Sequence, residues 1–89
     1  MQKLRFLIAY DIKNKKRLVK IARMLEKRGV RIEYSVFYME ATKEEMSEFA
    51  ISLASKINTQ EDDIRIYIIE ENEIALGNAL VLDEIFILK

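Results

Sequence analysis

The chain contains no cysteine and no histidine, and only two of its 89 residues are glycine. The absence of cysteine and histidine excludes disulfides, thiolate or imidazole zinc sites, cysteine nucleophiles and reactions that need a histidine base. With glycine only at Gly29 and Gly77, the chain has no glycine-rich loop that could cradle a phosphate. Any metal site must therefore be built from oxygen ligands.

Long apolar runs are also absent. No run approaches the roughly 20 residues that a membrane-spanning helix needs, and the N-terminus lacks the layout of a signal peptide. We therefore expect a cytoplasmic protein with no membrane partner. With 51% apolar and 34% charged residues, residues 1–89 are expected to fold as a single domain. A domain this small has a marginal core, which a second subunit would help to stabilise.

The formal net charge is zero, but the two signs are unevenly distributed along the chain. Residues 1–31 hold eleven lysines and arginines against two acids, whereas residues 32–89 hold four against thirteen. Nucleic-acid binding depends on the local field, so the cationic first third is a candidate phosphate-binding surface. A solvated helix face is the simpler interpretation of the charge taken alone. The clustered cations are Lys13, Lys15, Lys16, Arg17, Lys20, Arg23, Lys27, Arg28 and Arg31.

Periodicity in the first half predicts a strand, a helix and a second extended segment. Residues 4–12 are apolar on both faces, which is typical of a central strand. A helix follows over residues 15–28, with Asn14 as its N-cap and Gly29 as a left-handed stop. Residues 31–40 are rich in β-branched and aromatic side chains and form one long strand, or two short strands joined by a bend.

The second half predicts a further helix and two more strands. Thr42 and Glu45 form a T-x-x-E capping box, which starts a helix that ends near Asn58. A strongly β-forming run at residues 64–69 leads through a polar connection to a last strand at residues 79–88. That last run is apolar on both faces, so it must pair with a sheet edge, either its own or a partner subunit's.

These elements predict an α+β sandwich of βαββαβ order with an additional C-terminal strand. Residues 1–70 form the core, and residues 79–88 form the additional strand, for which we expect pairing at a dimer edge. Two helices would pack on one face of the sheet. The opposite face of the sheet must then meet something else.

Asp11 is the carboxylate that the pattern singles out. It ends the first predicted strand and precedes the cationic segment, and a carboxylate at such a strand end can hold Mg²⁺ or Mn²⁺. The competing interpretation is an Asx turn in which Asp11 or Asn14 binds backbone N–H groups. One aspartate supplies too few ligands for a metal, but a two-fold dimer would bring a second Asp11 to the same cleft.

Three further side chains have a functional and a structural interpretation. Ser35 is a nucleophile in principle, but it has no nearby base in the sequence and more simply hydrogen-bonds within the sheet. Phe37 and Tyr38 either stack on nucleic-acid bases or, for Phe37 above all, pack in the core.

Several segments together match a known family in order and spacing. They are Tyr10-Asp11-Ile12, Arg17, Leu25, Gly29, the run from Arg31 to Phe37, and the run from Asp63 to Tyr67. On these residues the chain resembles the CRISPR-associated Cas-two family over about residues 4–70. The resemblance implies a ferredoxin-like subunit, a symmetric homodimer and a C-terminal strand that adds to the partner's sheet. It also implies a role in CRISPR spacer acquisition, in which the dimer bridges two dimers of the integrase Cas-one.

The resemblance also implies roles for individual residues, carried over by matched position. Asp11 becomes the metal ligand and catalytic carboxylate for Mg²⁺ or Mn²⁺, with Tyr10 beside it. Arg17 and Arg31 become phosphate or active-site contacts, and Ser35 and Phe37 become neighbours that shape the cleft. The implied nucleic-acid contacts are Lys13, Lys15, Lys16, Arg17, Lys20 and Arg31.

The chain departs from the family pattern at two positions. Glu33 stands where glutamine is usual, and Tyr38 stands where glutamate often follows Ser-Val-Phe. These departures bear on nuclease activity more than on the fold.

Three functions are compatible with these features. The first is a dimeric, metal-dependent endonuclease that acts on single-stranded RNA or double-stranded DNA through paired Asp11 side chains and also bridges DNA for Cas-one. The second is a non-catalytic, DNA-binding subunit of the integrase complex. The third is a toxin-like mRNA interferase of the same fold, or a ligand-binding ferredoxin-like module.

Overall fold

The computed structural model describes residues 2–69 in full and the strand backbone at residues 70–72 and 79–88. The five strands form one antiparallel sheet in the order β2-β3-β1-β4-β5. This arrangement confirms the predicted α+β, ferredoxin-like fold with an added C-terminal strand. The elements in chain order are β1 (Leu4–Asp11), α1 (Lys15–Glu26), β2 (Val30–Glu33), β3 (Val36–Ala41), α2 (Lys43–Ala54), β4 (Asp63–Asn72) and β5 (Ala79–Leu88).

The two helices cover one face of the sheet, and the hydrophobic core lies between this face and the helices. Alternate residues of a strand point to opposite faces, so each central strand gives the core every second side chain. The largest fully buried side chains come from both layers, which makes the core a joint product of sheet and helices. They are Phe6, Ile8, Ile21, Leu25, Phe37, Leu53, Ile64 and Ile66.

Both predicted helix starts are confirmed by their capping contacts. The Asn14 side chain accepts a hydrogen bond from the backbone N–H of Arg17 at 3.0 Å. The Thr42 hydroxyl accepts from the Glu45 N–H at 3.1 Å, and the Glu45 carboxylate accepts from the Thr42 N–H at 2.8 Å. These bonds satisfy N–H groups that lack partners inside the first turn of a helix.

The ends of the helices differ from the prediction. Helix α1 ends at Glu26 rather than at residue 28, and α2 ends at Ala54 rather than near Asn58. At Gly29 the structure has no left-handed conformation, but a Cβ there would collide with the Tyr38 carbonyl oxygen. Glycine is thus required by the close approach of α1's end to β3, which a local pattern does not reveal.

The strand boundaries also sharpen the prediction. The extended segment consists of two strands, because residues 34 and 35 form a turn between β2 and β3. Strand β2 carries an irregularity between Arg31 and Glu33. Strand β4 continues to Asn72, two residues past the point where the polar connection was expected to begin.

The other face of the sheet carries neither helix, and we call it the helix-free face. Partly buried apolar side chains lie side by side on it across three strands: Leu7 is opposite both Tyr38 and Tyr67, and Ala9 is opposite Val36. This apolar surface is the face that was expected to meet something else. Among the described residues it meets no second layer of structure.

Strand β5 pairs with β4 of the same chain, from Leu88 opposite Ile64 to Ala79 opposite Asn72. This pairing corresponds to the intramolecular alternative. Pairing of residues 79–88 with a partner subunit's sheet stays a prediction. Neither α1 nor α2, the helices within the described residues, has the length and apolar character needed to span a membrane.

Candidate active site

Asp11 is the last residue of β1 and lies directly opposite Asp63, the first residue of β4. Directly opposite residues of an antiparallel pair share one face, so both acids lie at one end of the helix-free face. The Asp11 side chain is 67% exposed, and its two carboxylate oxygens are 3.3 and 3.1 Å from the Lys13 amine. Asn14 makes the backbone contact that caps α1, which leaves Asp11 facing solvent beside a lysine.

Tyr10 links the end of β1 to the turn between β2 and β3. Its backbone N–H donates to the Ser35 carbonyl at 3.0 Å, and its hydroxyl donates to the Tyr34 carbonyl at 3.3 Å. The Tyr10 and Phe37 rings are stacked with centroids 6.2 Å apart. Phe37 is fully buried, which favours core packing over stacking on a base. These contacts hold the turn against the strand that carries Asp11.

Arg31 lies on the other side of the same turn. Its guanidinium carbon is 4.7 Å from the centroid of the Phe37 ring, and it donates to the Tyr34 carbonyl and, at 3.2 Å, to the Glu26 carboxylate. The hydrogen bond to Glu26 is the main reason why the pKa of Arg31 is raised above its ordinary value. Arg31 therefore presents a permanent positive charge in a fixed orientation near the cleft.

A small cavity of about 280 Å³ opens at the end of β1. It brings together three of the six predicted catalytic residues: Tyr10, Asp11 and Ser35. Arg31 and Phe37 contact its walls through Tyr34 and Tyr10. The full lining consists of Tyr10, Asp11, Ile12, Leu18, Tyr34 and Ser35.

Arg17, the sixth predicted catalytic residue, does not line this cavity. Its guanidinium Nε donates to the Asp62 carboxylate at 2.7 Å, and its Nη2 donates to Asp62 at 3.3 Å and to Glu61 at 2.9 Å. The Asp62 side chain is fully buried. The bond from Arg17, helped by backbone N–H groups of Asn58 and Lys13, lowers the pKa of Asp62 to about 2 despite its burial.

Five of the six predicted nucleic-acid contacts lie in α1 or just before it and form a cationic surface. The four lysines are exposed, whereas Arg17 is partly buried, and no acid stands in the first turn of the helix. The N-terminal end of a helix carries partial positive charge, which adds to the field of the lysines. A shallow depression lies among Asn14, Lys15, Lys16 and Val19. The exposed lysines are Lys13, Lys15, Lys16 and Lys20.

The residues at the strand end fit a hard metal ion in ligand type but not in number. Asp11 and Asp63 offer carboxylate oxygens, the ligands that Mg²⁺ and Mn²⁺ prefer. Over residues 2–69, however, no three acidic side chains lie close enough together to hold a metal. A complete site therefore needs ligands from outside one chain, such as a second Asp11 or phosphate oxygens of a substrate.

Comparison with known proteins identifies the family. The model of the family described as CRISPR associated protein Cas2 matches residues 4–75. The chain belongs to the Cas2 family. This confirms the resemblance to the Cas-two proteins that the sequence motifs indicated.

Two curated Cas2 relatives illustrate the similarity. The CRISPR-associated endoribonuclease Cas2 2 of Thermodesulfovibrio yellowstonii is 35% identical over 72 residues, which cover 81% of this chain and 79% of that protein. The CRISPR-associated endoribonuclease Cas2 of Thermus thermophilus is 33% identical over 67 residues, which cover 75% of this chain and 71% of the relative.

Solved structures agree with the Cas2 fold. The crystal structure of a hypothetical protein, TT1823, from Thermus thermophilus has a TM-score of 0.76 and 28% identity, and the match covers 93% of this chain and all of that chain. The Streptococcus pyogenes Cas2 structure has a TM-score of 0.71 and 28% identity, with 79% of this chain and 90% of that chain covered.

The structure also shows where the acidic turn and the two departures from the family pattern lie in this Cas2 chain. Asp62 is the functional candidate that the sequence reasoning missed, although the acidic turn Glu61-Asp62-Asp63 was visible as its signal. The two departures from the family pattern lie near the helix-free face: Tyr38 donates to Glu40 at 2.7 Å, and Glu33 is exposed at the end of β2.

Proposed function

We propose that this Cas2-family chain acts in CRISPR adaptation as a homodimer whose paired Asp11 carboxylates form the centre of a metal-dependent endonuclease. The observation that carries the proposal is the position of Asp11, exposed at the mouth of a cavity and at the end of an uncovered sheet face. The name endoribonuclease, which both curated relatives bear, makes single-stranded RNA the first substrate to test.

The helix-free face supports the dimer in this proposal. Its row of partly buried apolar side chains, with Leu7 between Tyr38 and Tyr67, is the kind of surface that is stabilised by burial against another chain. In a two-fold dimer the same patch meets itself. If these patches pack face to face about a two-fold axis that runs along β1, the two copies of Asp11, at one end of the patch, converge on a shared groove.

Several side chains around this groove would hold a phosphodiester in place. When bound between the two Asp11 carboxylates, Mg²⁺ or Mn²⁺ would polarise a phosphate oxygen and favour deprotonation of an attacking water. Lys13, beside Asp11, and Arg31, held by Glu26 and the Phe37 ring, offset the charge of the phosphate. Tyr10 and Ser35 fix the wall of the groove through the Tyr10 N–H bond to the Ser35 carbonyl.

The lysines of α1 extend the proposed nucleic-acid surface beyond the groove. Lys15, Lys16 and Lys20 are exposed and contact phosphates along the strand in this proposal. Such contacts carry no sequence information, so they suit an RNA substrate and also double-stranded DNA. A bridging role between Cas-one dimers uses the same lysines on DNA.

A second candidate function is a non-catalytic, DNA-binding subunit of the integrase complex. Two observations favour it: the Lys13 amine is already paired with the Asp11 carboxylate, and the described part of one chain holds too few acids for a metal. In this alternative the dimer, the lysines and the partner Cas-one are retained, and only the cleavage is absent.

Asp11→Asn separates the two functions. The purified dimer is incubated with single-stranded RNA and with double-stranded DNA, in Mg²⁺ and in Mn²⁺, and product formation is followed over time. We expect Asp11→Asn to lower cleavage more than about 100-fold, because groups that merely support a metal ligand already cost 10–100-fold. Glu44→Gln, at an exposed acid in the first turn of α2, is the matched control and should cleave normally. Absence of cleavage by the wild-type dimer under all four conditions would leave the non-catalytic function.

A further inference from the structure

Asp62 is the one charged side chain that is buried among residues 2–69. Its oxygen Oδ1 accepts from the Lys13 backbone N–H at 2.9 Å and from Arg17 Nη2 at 3.3 Å. Its oxygen Oδ2 accepts from Arg17 Nε at 2.7 Å and from the Asn58 backbone N–H at 2.9 Å. Each oxygen thus accepts two hydrogen bonds, which is the condition under which a buried carboxylate is tolerated.

The donors to Asp62 come from three separate parts of the fold. Lys13 follows the end of β1, two residues after Asp11, Arg17 lies in the first turns of α1, and Asn58 lies between α2 and β4. Asp62 also directly precedes Asp63, the residue opposite Asp11 in the sheet. One carboxylate therefore ties the segment that follows β1 to the segment that precedes β4, next to the acidic end of the helix-free face.

The Asp11 backbone is paired with Asp63 in the sheet, but the chain leaves the ladder directly after it. Its side chain is mostly exposed and is bonded to the flexible amine of Lys13. The Lys13 N–H bond to Asp62 fixes the direction in which the chain leaves β1, and with it the setting of the Asp11 carboxylate. Metal ligands must be held to within about half an ångström, and neighbouring hydrogen bonds usually provide that precision.

Arg17 is poorly suited to contact a phosphate directly. Two acids, Glu61 and Asp62, hold its guanidinium, so this cluster of three charges has a net charge of −1. Its side chain is 26% exposed, whereas the nearby Lys15 and Lys16 are exposed and project from the same helix. A phosphate approaching Arg17 would therefore meet a guanidinium whose hydrogen-bond donors and charge are already taken up by two acids.

We infer that Asp62 is a positioning residue for Asp11, and that Arg17 acts on the site through Asp62 and not by contacting a phosphate. This inference rests on the proposed function, because it assigns the support of the proposed metal ligand. It gives Arg17 a role that differs from the phosphate contact implied by the family resemblance.

The test measures Mn²⁺ binding by calorimetry on the purified dimer, using Asp62→Asn, Arg17→Met and the double variant. We expect each single variant to weaken Mn²⁺ binding about 10-fold or more, and the double variant to be no weaker than the poorer single variant, because both changes break one unit. Hydrogen exchange at the Lys13 amide should be faster in Asp62→Asn. In Arg17→Met, Asp62 keeps its two backbone hydrogen-bond donors. This variant therefore provides the test of the inference if Asp62→Asn does not fold.

Two controls separate positioning from simple loss of stability and from phosphate binding. Leu53→Ala removes a fully buried side chain of α2 and should lower stability without changing Mn²⁺ affinity in the folded protein. Single-stranded RNA binding is measured without metal over a range of salt. Lys16→Met should reduce the logarithmic salt slope by about 0.7, and Arg17→Met should leave the slope unchanged.

The outcomes distinguish the inference from the function on which it rests. If wild type binds Mn²⁺ but Arg17→Met and Asp62→Asn bind it equally well, the positioning role is refuted and the proposed metal site stands. A salt slope reduced by Arg17→Met as much as by Lys16→Met would make Arg17 a phosphate contact and overturn the inference. Failure of wild type to bind Mn²⁺ at all would overturn both the metal site and its support.

Discussion

The two faces of the sheet bury their apolar side chains to different extents. Ile8 on the helix-covered face is fully buried within the chain, whereas its neighbour Leu7 on the helix-free face is only partly buried. The covered face has apolar side chains along its length, while the helix-free face ends in Asp11 and Asp63. The helix-covered face therefore supplies the core that stabilises the fold, whereas the helix-free face carries the proposed dimer interface and the proposed active site.

The largest effect is expected from placing a charge in the middle of the helix-free face. Tyr67→Glu should abolish the proposed dimer and with it all Asp11-dependent cleavage, because two buried acids would meet across the two-fold axis. The monomer should keep its secondary structure, since Tyr67 lies outside the helix-covered core. Sedimentation equilibrium and circular dichroism measure the two properties. Ile51→Glu, at a 72% exposed position of α2, should leave the dimer intact.

A matched pair of truncations on β1 compares the two faces directly. Ile8→Ala should lower the free energy of unfolding by about 3 kcal/mol at any protein concentration, because it leaves a cavity in the core. Leu7→Ala should have an effect that depends on protein concentration, because part of its burial comes from the partner. Urea unfolding at two concentrations about 100-fold apart distinguishes the two variants. Equal, concentration-independent losses would mean that the helix-free face is not an interface.

Acid should selectively remove the contribution of Asp62. Contacts headed by the Arg17 bond lower the pKa of Asp62 from 3.8 to about 2, so the folded state prefers the carboxylate. That preference stabilises the fold fully above the unfolded value of 3.8 and is lost as the pH falls towards 2. A shift of this size corresponds to roughly 2 kcal/mol. Unfolding of wild type and Asp62→Asn from pH 6 to pH 2 should therefore show a difference that shrinks over this range, and a constant difference would contradict the assignment.

The smallest effects are expected on the cationic surface of α1, outside both sheet faces. Lys15→Met and Lys20→Met should each reduce the salt slope of duplex DNA binding by about 0.9, with little change in stability. Lys43→Met, at the exposed start of α2, is the control with the same loss of charge. A slope that changes equally in all three variants would mean that DNA is attracted by overall charge and not by this surface.

The parts of the fold that depend on local pattern were predictable from sequence. Period-two and helical spacing identified the first strand and both helices, and the capping box at Thr42 and Glu45 marked the start of α2. Asp11 was identifiable because a strand end next to a cationic segment is visible along the chain. The structure places it, mostly exposed, in the lining of the cavity at the end of β1, and its role as a metal ligand stays a prediction.

The parts that depend on distant contacts were not predictable. Asp62 receives hydrogen bonds from residues 45 and 49 positions away, so no local pattern distinguishes it from Glu61 or Asp63. The need for glycine at position 29 comes from the Tyr38 carbonyl of a neighbouring strand. The phosphate contact assigned to Arg17 followed from its charge and the family resemblance, whereas its bond to Asp62, 45 positions along the chain, has no local signal.

The most direct test of the account is whether the two Asp11 positions meet. The chain has no cysteine, so Asp11→Cys and Ile51→Cys each provide one site for a nitroxide spin label. We predict strong dipolar broadening between labels at position 11 of the dimer and none between labels at position 51, which lies on the exposed surface of α2. The opposite pattern, or a monomer at every concentration, would contradict the pairing of the acids on which the proposed active site depends.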